Sequence, residues 1–142
     1  MLVDANLLLF AEDQDSPHHD VSRGWLSSAL NGPVRVGLPW PSLLAFSRIR
    51  TNSRIYSAPL SGPQAWTRVQ SWLRAPSAWV PQPTSAHADV LGSLIDRYHL
   101  SGNALPDAHL AALAIEHGVA VCSADTDFAR FREVQWINPL ST

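Results

Sequence analysis

Leu2-Val3-Asp4-Ala5-Asn6-Leu7-Leu8-Leu9-Phe10 decides how the chain is read. Leu2-Val3 reads as a short buried strand, and Leu7 to Ala11 continues into a helix. Asp4 interrupts what is otherwise a core segment. A buried carboxylate is costly unless something compensates it, so Asp4 marks a strand end and a candidate working residue. The same arrangement returns near the other end of the chain. Val119 to Cys122 reads as a buried strand, and Asp125 and Asp127 follow it. Further short strands are expected at Val34–Leu38, Ala78–Val80 and Gln135–Ile137. Ser16-Pro17 reads as the cap and first residue of a helix to about Leu30, with Val21, Trp25, Leu26 and Ala29 on one buried face. Helices are also expected at Pro41–Arg50, from Ser61-Gly62-Pro63 to about Leu73, from a Ser85 cap to about Tyr98, and at Asp107–His117 between Pro106 and Gly118. Thr51–Pro59 reads as loop. Short strands alternating with helices predict an α/β sandwich around a mainly parallel sheet.

In such sheets ligands bind beyond the carboxyl ends of the strands. Asp4, Asp125 and Asp127 fall there, and Asp107 sits in the first turn of a helix after the Ser101–Pro106 loop. Acids gathered at one rim repel each other unless a cation sits between them. Oxygen-only ligands suit Mg²⁺ or Mn²⁺, ions that activate water and support in-line displacement at phosphorus. Two of these acids also have purely structural readings: Asp107 favours the helix dipole, and Asp125 could cap a short Thr126–Phe131 helix. The histidines match no zinc spacing. His109 does not share a helix face with Asp107, and His87 and His99 have no spaced partner. Cys122 reads as a small core residue. Trp25, Trp66 and Trp72 fit buried helix faces. Trp40 and Trp79 border strands and are candidates for a surface that meets an RNA base or a partner protein.

Composition bounds the chemistry. Of the 142 residues, 46% are hydrophobic and 15% charged, which suits one domain over residues 1–142 with a real core. A single cysteine excludes a disulfide framework and any site built from several thiolates. No apolar run reaches the roughly 18–20 residues of a membrane helix. Met1-Leu2-Val3-Asp4 puts no basic residue ahead of its apolar stretch, so a secretory leader is not expected and the chain is read as cytoplasmic. All 10 basic residues are arginine. The absence of lysine excludes P-loop phosphate binding, Schiff-base chemistry and lysine-supported phosphoaspartyl chemistry. Between Val21 and Ala88 there are seven arginines and no acid, while the flanks hold all 12 acids. Such asymmetry suits a polyanion held by one part while another binds cations.

The motifs resemble those of a known family. Met1-Leu2-Val3-Asp4-Ala5-Asn6 resembles the opening of PIN domains, Pro106-Asp107-Ala108-His109-Leu110-Ala111 their second acidic motif, and Cys122-Ser123-Ala124-Asp125-Thr126-Asp127-Phe128 their last. Order, spacing and length are similar to the VapC toxins of bacterial VapBC systems, and Pro39-Trp40-Pro41 to Ile49 looks like an actinobacterial branch. The resemblance implies a PIN-like three-layer α/β/α sandwich and an Mg²⁺- or Mn²⁺-dependent endoribonuclease that leaves a 5′-phosphate and a 3′-hydroxyl. It implies a VapB-type antitoxin as partner, tRNA or rRNA as substrate, and a homodimer. Carried over, Asp4, Asp107 and Asp125 would be catalytic, and these three with Asp127 would hold the metal. Asn6, Ser123 and Asp127 would orient ligands or water, and Arg48, Arg50 and Arg54 would hold the RNA backbone. A catalytically weak RNA- or antitoxin-binding module is the alternative, because the family's helix glutamate is missing: Ala45, Phe46 and Ser47 stand there.

Overall fold

The computed structural model describes residues 1–141. Leu2–Val3 (β1), Val36–Gly37 (β2), Ala78–Trp79 (β3), Val121–Cys122 (β4) and Trp136–Ile137 (β5) form one sheet, in the order β3-β2-β1-β4-β5 with every pairing parallel. The helices are Ala5–Glu12 (α1), His19–Leu30 (α2), Trp40–Arg50 (α3), Gly62–Leu73 (α4), His87–Tyr98 (α5) and Ala104–His117 (α6), and Thr126–Arg130 adds a 3₁₀ turn.

Side chains alternate across a strand, and that alternation builds the three layers. Leu2 and Val121 pack with Leu94, Leu110, Leu113, Phe128 and Phe131, on the side covered by α5 and α6. Val3 and Cys122 face the other way and pack with Leu7, Leu8, Leu26, Leu43 and Phe46, on the side covered by α1 to α4. Both faces are covered, as a parallel sheet requires. Gly37 permits the tight approach of β2 to β1: a Cβ there would run into the Leu2 side chain and stand 3.3 Å from the Met1 carbonyl oxygen.

Local chemistry sets the helix ends. Ser61 and Gln64 close a reciprocal capping box at α4: the Ser61 hydroxyl accepts from the Gln64 amide, and the Gln64 side chain accepts from the Ser61 amide. Gly118 ends α6 in the left-handed region, at φ 66°. Other ends differ from expectation. α2 begins at His19, because the Ser16 hydroxyl accepts from His18 and holds a turn ahead of the helix. The buried face is therefore Ser22, Leu26 and Leu30, and Val21 stands 54% exposed. Ser85 does not cap α5; the Thr84 hydroxyl accepts from the Ala86 amide just before it. α6 begins at Ala104, so Pro106 lies inside its first turn, where a missing N–H removes no intrahelical bond.

β1 to β3 step outward in one direction, and β4 and β5 return on the other side of β1. The carboxyl ends of β1 and β4 therefore flank the point where strand order reverses, where open α/β sheets form a crevice. None of the helices described is long and apolar enough to cross a membrane.

Candidate functional site

The crevice is lined by the acids that the sequence placed at strand ends. Asp4 directly follows β1 and caps α1, its Oδ1 accepting from the Ala5 amide at 2.8 Å. Its Oδ2 accepts from the Ser123 hydroxyl at 2.7 Å. Ser123, fully buried one residue past β4, is the hub of the loop. Its oxygen also accepts from Asn6 Nδ2 at 3.1 Å and from the Asp125 amide at 3.0 Å. Asn6 reaches back with its own oxygen to the Ala124 amide. Asn6 and Ser123 thus tie the ends of β1 and β4 together and aim Asp4.

Asp125 caps the 3₁₀ turn, accepting from the Asp127 amide at 2.9 Å. The structural reading of Asp125 therefore holds, and it does not exclude a further role. Asp107, Asp125 and Asp127 each offer an oxygen, and the three oxygens lie within 4.8 Å of one another. Asp4 stands beside this trio, near enough for its charge to act on Asp107.

The electrostatics match the geometry. The Asp107 carboxyl is pushed up to about 6, first by burial and then by the charges of Asp4, Asp125 and Asp127, with Arg130 opposing. Asp4 is raised by burial, against the hydrogen bonds from Ser123 and Ala5. The carboxylates are thus short of compensating positive charge. An all-oxygen donor set of this kind fits a hard divalent cation, and Asp107, Asp125 and Asp127, with Asp4 alongside, are the residues able to hold one.

α3 adds no carboxylate. Phe46 is fully buried edge-on to Trp72, and the Ser47 hydroxyl donates to the Leu43 carbonyl. The three arginines assigned to RNA separate. Arg48 and Arg54 are exposed. Arg50 is not available: its guanidinium is 2.5 Å from Glu12, donates to the Ala58 carbonyl and lies over the Tyr56 ring at 4.3 Å. Glu12 keeps only 8% of its side chain exposed, so Arg50 is the nearer counter-ion of a buried acid, with Arg68 Nε 3.9 Å from its other oxygen.

Several residues escaped the sequence reading. Arg130, 3.9 Å from Asp127, is the guanidinium beside the acidic trio, and its i,i+3 spacing was the available signal. Trp136 Nε1 donates to the Ser123 carbonyl and braces the loop from β5. His87 has partners after all: its Nε2 lies 3.0 Å from His109 Nδ1, and its Nδ1 lies 2.5 Å from Glu116. Glu116 also accepts from the amide and hydroxyl of Thr84, pinning the start of α5 to α6. Trp66 is not core but 37% exposed, one position off the buried Ala65–Val69 stripe of α4.

The sequence matches the family model for the PIN domain over residues 1–134. It is 46% identical over 138 residues to the ribonuclease VapC37 of Mycobacterium tuberculosis, covering 97% of this chain and 96% of that one. Two solved structures share the fold. VapBC2 from Rickettsia felis, bound to a promoter DNA fragment, gives a TM-score of 0.69 at 13% identity, with 96% of each chain covered. VapC20 of M. tuberculosis, a toxin that cleaves the sarcin–ricin loop, gives 0.68 at 18% identity, covering 94% of this chain and 98% of that one. Fold and acidic crevice together define a PIN domain. Within that class, the chain belongs to the VapC family.

Two outcomes follow. Arg50→Ala should destabilise the protein by about 1–3 kcal/mol, because it leaves the buried Glu12 carboxylate with only the half-exposed Arg68, 3.9 Å away, whereas Arg48→Ala should stay within about 0.5 kcal/mol; thermal unfolding reads both. The second concerns pH. A carboxyl whose folded pKa is about 6 rather than 3.8 favours folding at low pH, and that contribution is lost as pH rises through 6. Metal-free Asp107→Asn should therefore match the wild type near pH 4 and melt higher at pH 7. Asp107 is partly exposed, so solvent screening leaves roughly 1 kcal/mol, or about 3 °C.

Proposed function

We propose that this chain is the toxin of a toxin–antitoxin pair, a divalent-cation-dependent endoribonuclease that acts in the cytoplasm on tRNA or rRNA and is neutralised by a VapB-type antitoxin. We propose too that residues 1–142 form one domain and that it works as a homodimer. The observation that carries this reading is the convergence of Asp107, Asp125 and Asp127, beside Asp4, at the reversal point of the sheet. The 46% identity to a chain named a ribonuclease supports the activity, and the VapBC complex among the structural relatives supports the antitoxin.

In this reading Asp4, Asp107, Asp125 and Asp127 hold Mg²⁺ or Mn²⁺. The ion, when bound, supplies activation of water and neutralisation of charge on the phosphoryl oxygens. Ser123 and Asn6 fix the Asp4 carboxylate, so that it need not reorient when a ligand arrives. Arg130 reduces the net charge of the crevice, which eases approach of a phosphate. Arg48 and Arg54 remain free to meet the RNA backbone. A second reading, a catalytically weak binding module, has one observation in its favour: α3 brings no carboxylate to the crevice.

The test is incubation of the purified protein with total RNA, with and without Mg²⁺ or Mn²⁺, followed by mapping of the ends. The ribonuclease reading expects metal-dependent cuts carrying 5′-phosphates. Asp4→Asn and Asp107→Asn should abolish them while the protein stays folded. Ser123→Ala should lower cleavage about 10–100-fold, the usual cost of losing a residue that orients a metal ligand. Metal-dependent binding of RNA without cleavage would favour the second reading.

A further inference from the structure

An open apolar groove runs between α3 and α4, and nothing in the proposed chemistry uses it. Its walls include Pro41, Leu44, Ala45, Arg48, Trp66 and Pro106. Trp40 opens α3 two residues beyond Leu38, at the carboxyl edge of β2, one strand along from Asp4. Trp40 is 38% exposed and Trp66 37%, yet their rings lie parallel, 8° apart in plane with centroids 6.3 Å apart. Leu44 beside them is 55% exposed. Large apolar side chains grouped in the open mark a surface that receives something.

We infer that this groove seats an unpaired base of the RNA strand, with Trp66, which lines it, as the stacking platform and Trp40 holding that ring by stacking on it. The inference rests on the ribonuclease reading. Three observations select this occupant. The first is continuity: Pro106 forms part of the wall, and the next residue is Asp107 of the acidic trio, so a base in the groove belongs to the same strand as a phosphate in the crevice. The second is charge. α3, α4 and the loop between them carry no Asp or Glu, and the exposed Arg48 and Arg54 lie on them. Phosphates flanking a seated base meet positive charge there, whereas a second copy packed on this face would set arginine against arginine. The third is ring geometry: two parallel aromatic rings extend readily to a third, and every nucleobase offers a flat π-face.

The polar lining also says what kind of recognition to expect. The Ser47 hydroxyl donates to the Leu43 carbonyl and the Thr51 hydroxyl to the Ser47 carbonyl. Their protons are engaged within α3, and the exposed Arg48 guanidinium is the donor at the rim. The groove therefore selects for an unstacked, single-stranded base rather than for one base identity.

The test uses a single-stranded RNA carrying 2-aminopurine at successive positions. Its fluorescence is followed in EDTA with wild type, Trp40→Ala, Trp66→Ala, Trp66→Phe and Leu44→Glu, each checked for fold by circular dichroism. The wild type should quench the probe at one position near the cut. Either alanine variant should abolish that quenching and weaken binding roughly tenfold, within the range of one lost base–aromatic stack. Trp66→Phe should keep most of it, and Leu44→Glu should lose it through its charge. With Mn²⁺ present, the alanine variants should raise KM for RNA by the same factor and leave kcat within about twofold. Unchanged quenching and KM in folded variants would overturn the inference. So would variants that only dissociate a dimer or only release an antitoxin. If the wild type cuts no RNA with either metal, the ribonuclease reading fails by itself, and the EDTA binding arm still decides the groove.

Discussion

Parallel pairing of Leu2–Val3 with Val121–Cys122 is the constraint from which the rest follows. Once those strands lie side by side, Asp4 and the Ser123–Asp127 loop share one rim, and α6 adds Asp107. The fold then holds carboxylates together that would separate in water. What keeps them there is apolar burial on both faces of the sheet, reinforced at the rim by the Ser123 hydroxyl, which donates to Asp4 while accepting from Asn6 and Asp125. The raised pKa of Asp107 reflects its burial first and, after that, the crowding of Asp4, Asp125 and Asp127 beside it. Protonation relieves it at low pH, and a divalent cation would relieve it at neutral pH.

Much of this was legible in the sequence because a carboxylate in an apolar run is a strong signal. The alternation of short strands with helices pointed to a parallel sheet, and Asp4 within Leu2–Phe10, with Asp125 and Asp127 after Val119–Cys122, pointed to an acidic rim at its strand ends. What was not legible depended on partners distant in the chain or on rotation about a helix axis. Arg50 read as free positive charge, since its acid, Glu12, lies 38 residues away. His87 and His109 read as unrelated because only the packing of α5 on α6 joins them. Val21 and Trp66 failed for a local reason: one position on a helix is a turn of about 100°, enough to move a side chain from core to solvent.

Exposed positive charge and the acidic crevice adjoin at one place: Arg48 of the acid-free segment and Pro106, the neighbour of Asp107, line the same groove. A polyanion crossing both would be held by the first and meet the second, the division of labour that the charge asymmetry suggested. The absence of a carboxylate on α3 sharpens the question. Of the three positions at which the family's glutamate would fall, Phe46 is buried in the core, which leaves Ala45 and Ser47. The crevice must do with the acids of β1, α6 and the β4 loop.

The most direct measurement is thermal unfolding at neutral pH as Mn²⁺ or Mg²⁺ is titrated into the wild type and into Asp107→Asn. A ligand that binds only the folded state stabilises it by RT ln(1 + [L]/Kd), about 2.7 kcal/mol at a hundredfold excess over Kd. If the crevice is a cation site under electrostatic stress, the wild-type midpoint should climb with metal concentration, and that of Asp107→Asn should stay nearly flat from a higher metal-free start. A wild-type midpoint indifferent to both metals, or an equal climb in the two proteins, would contradict it.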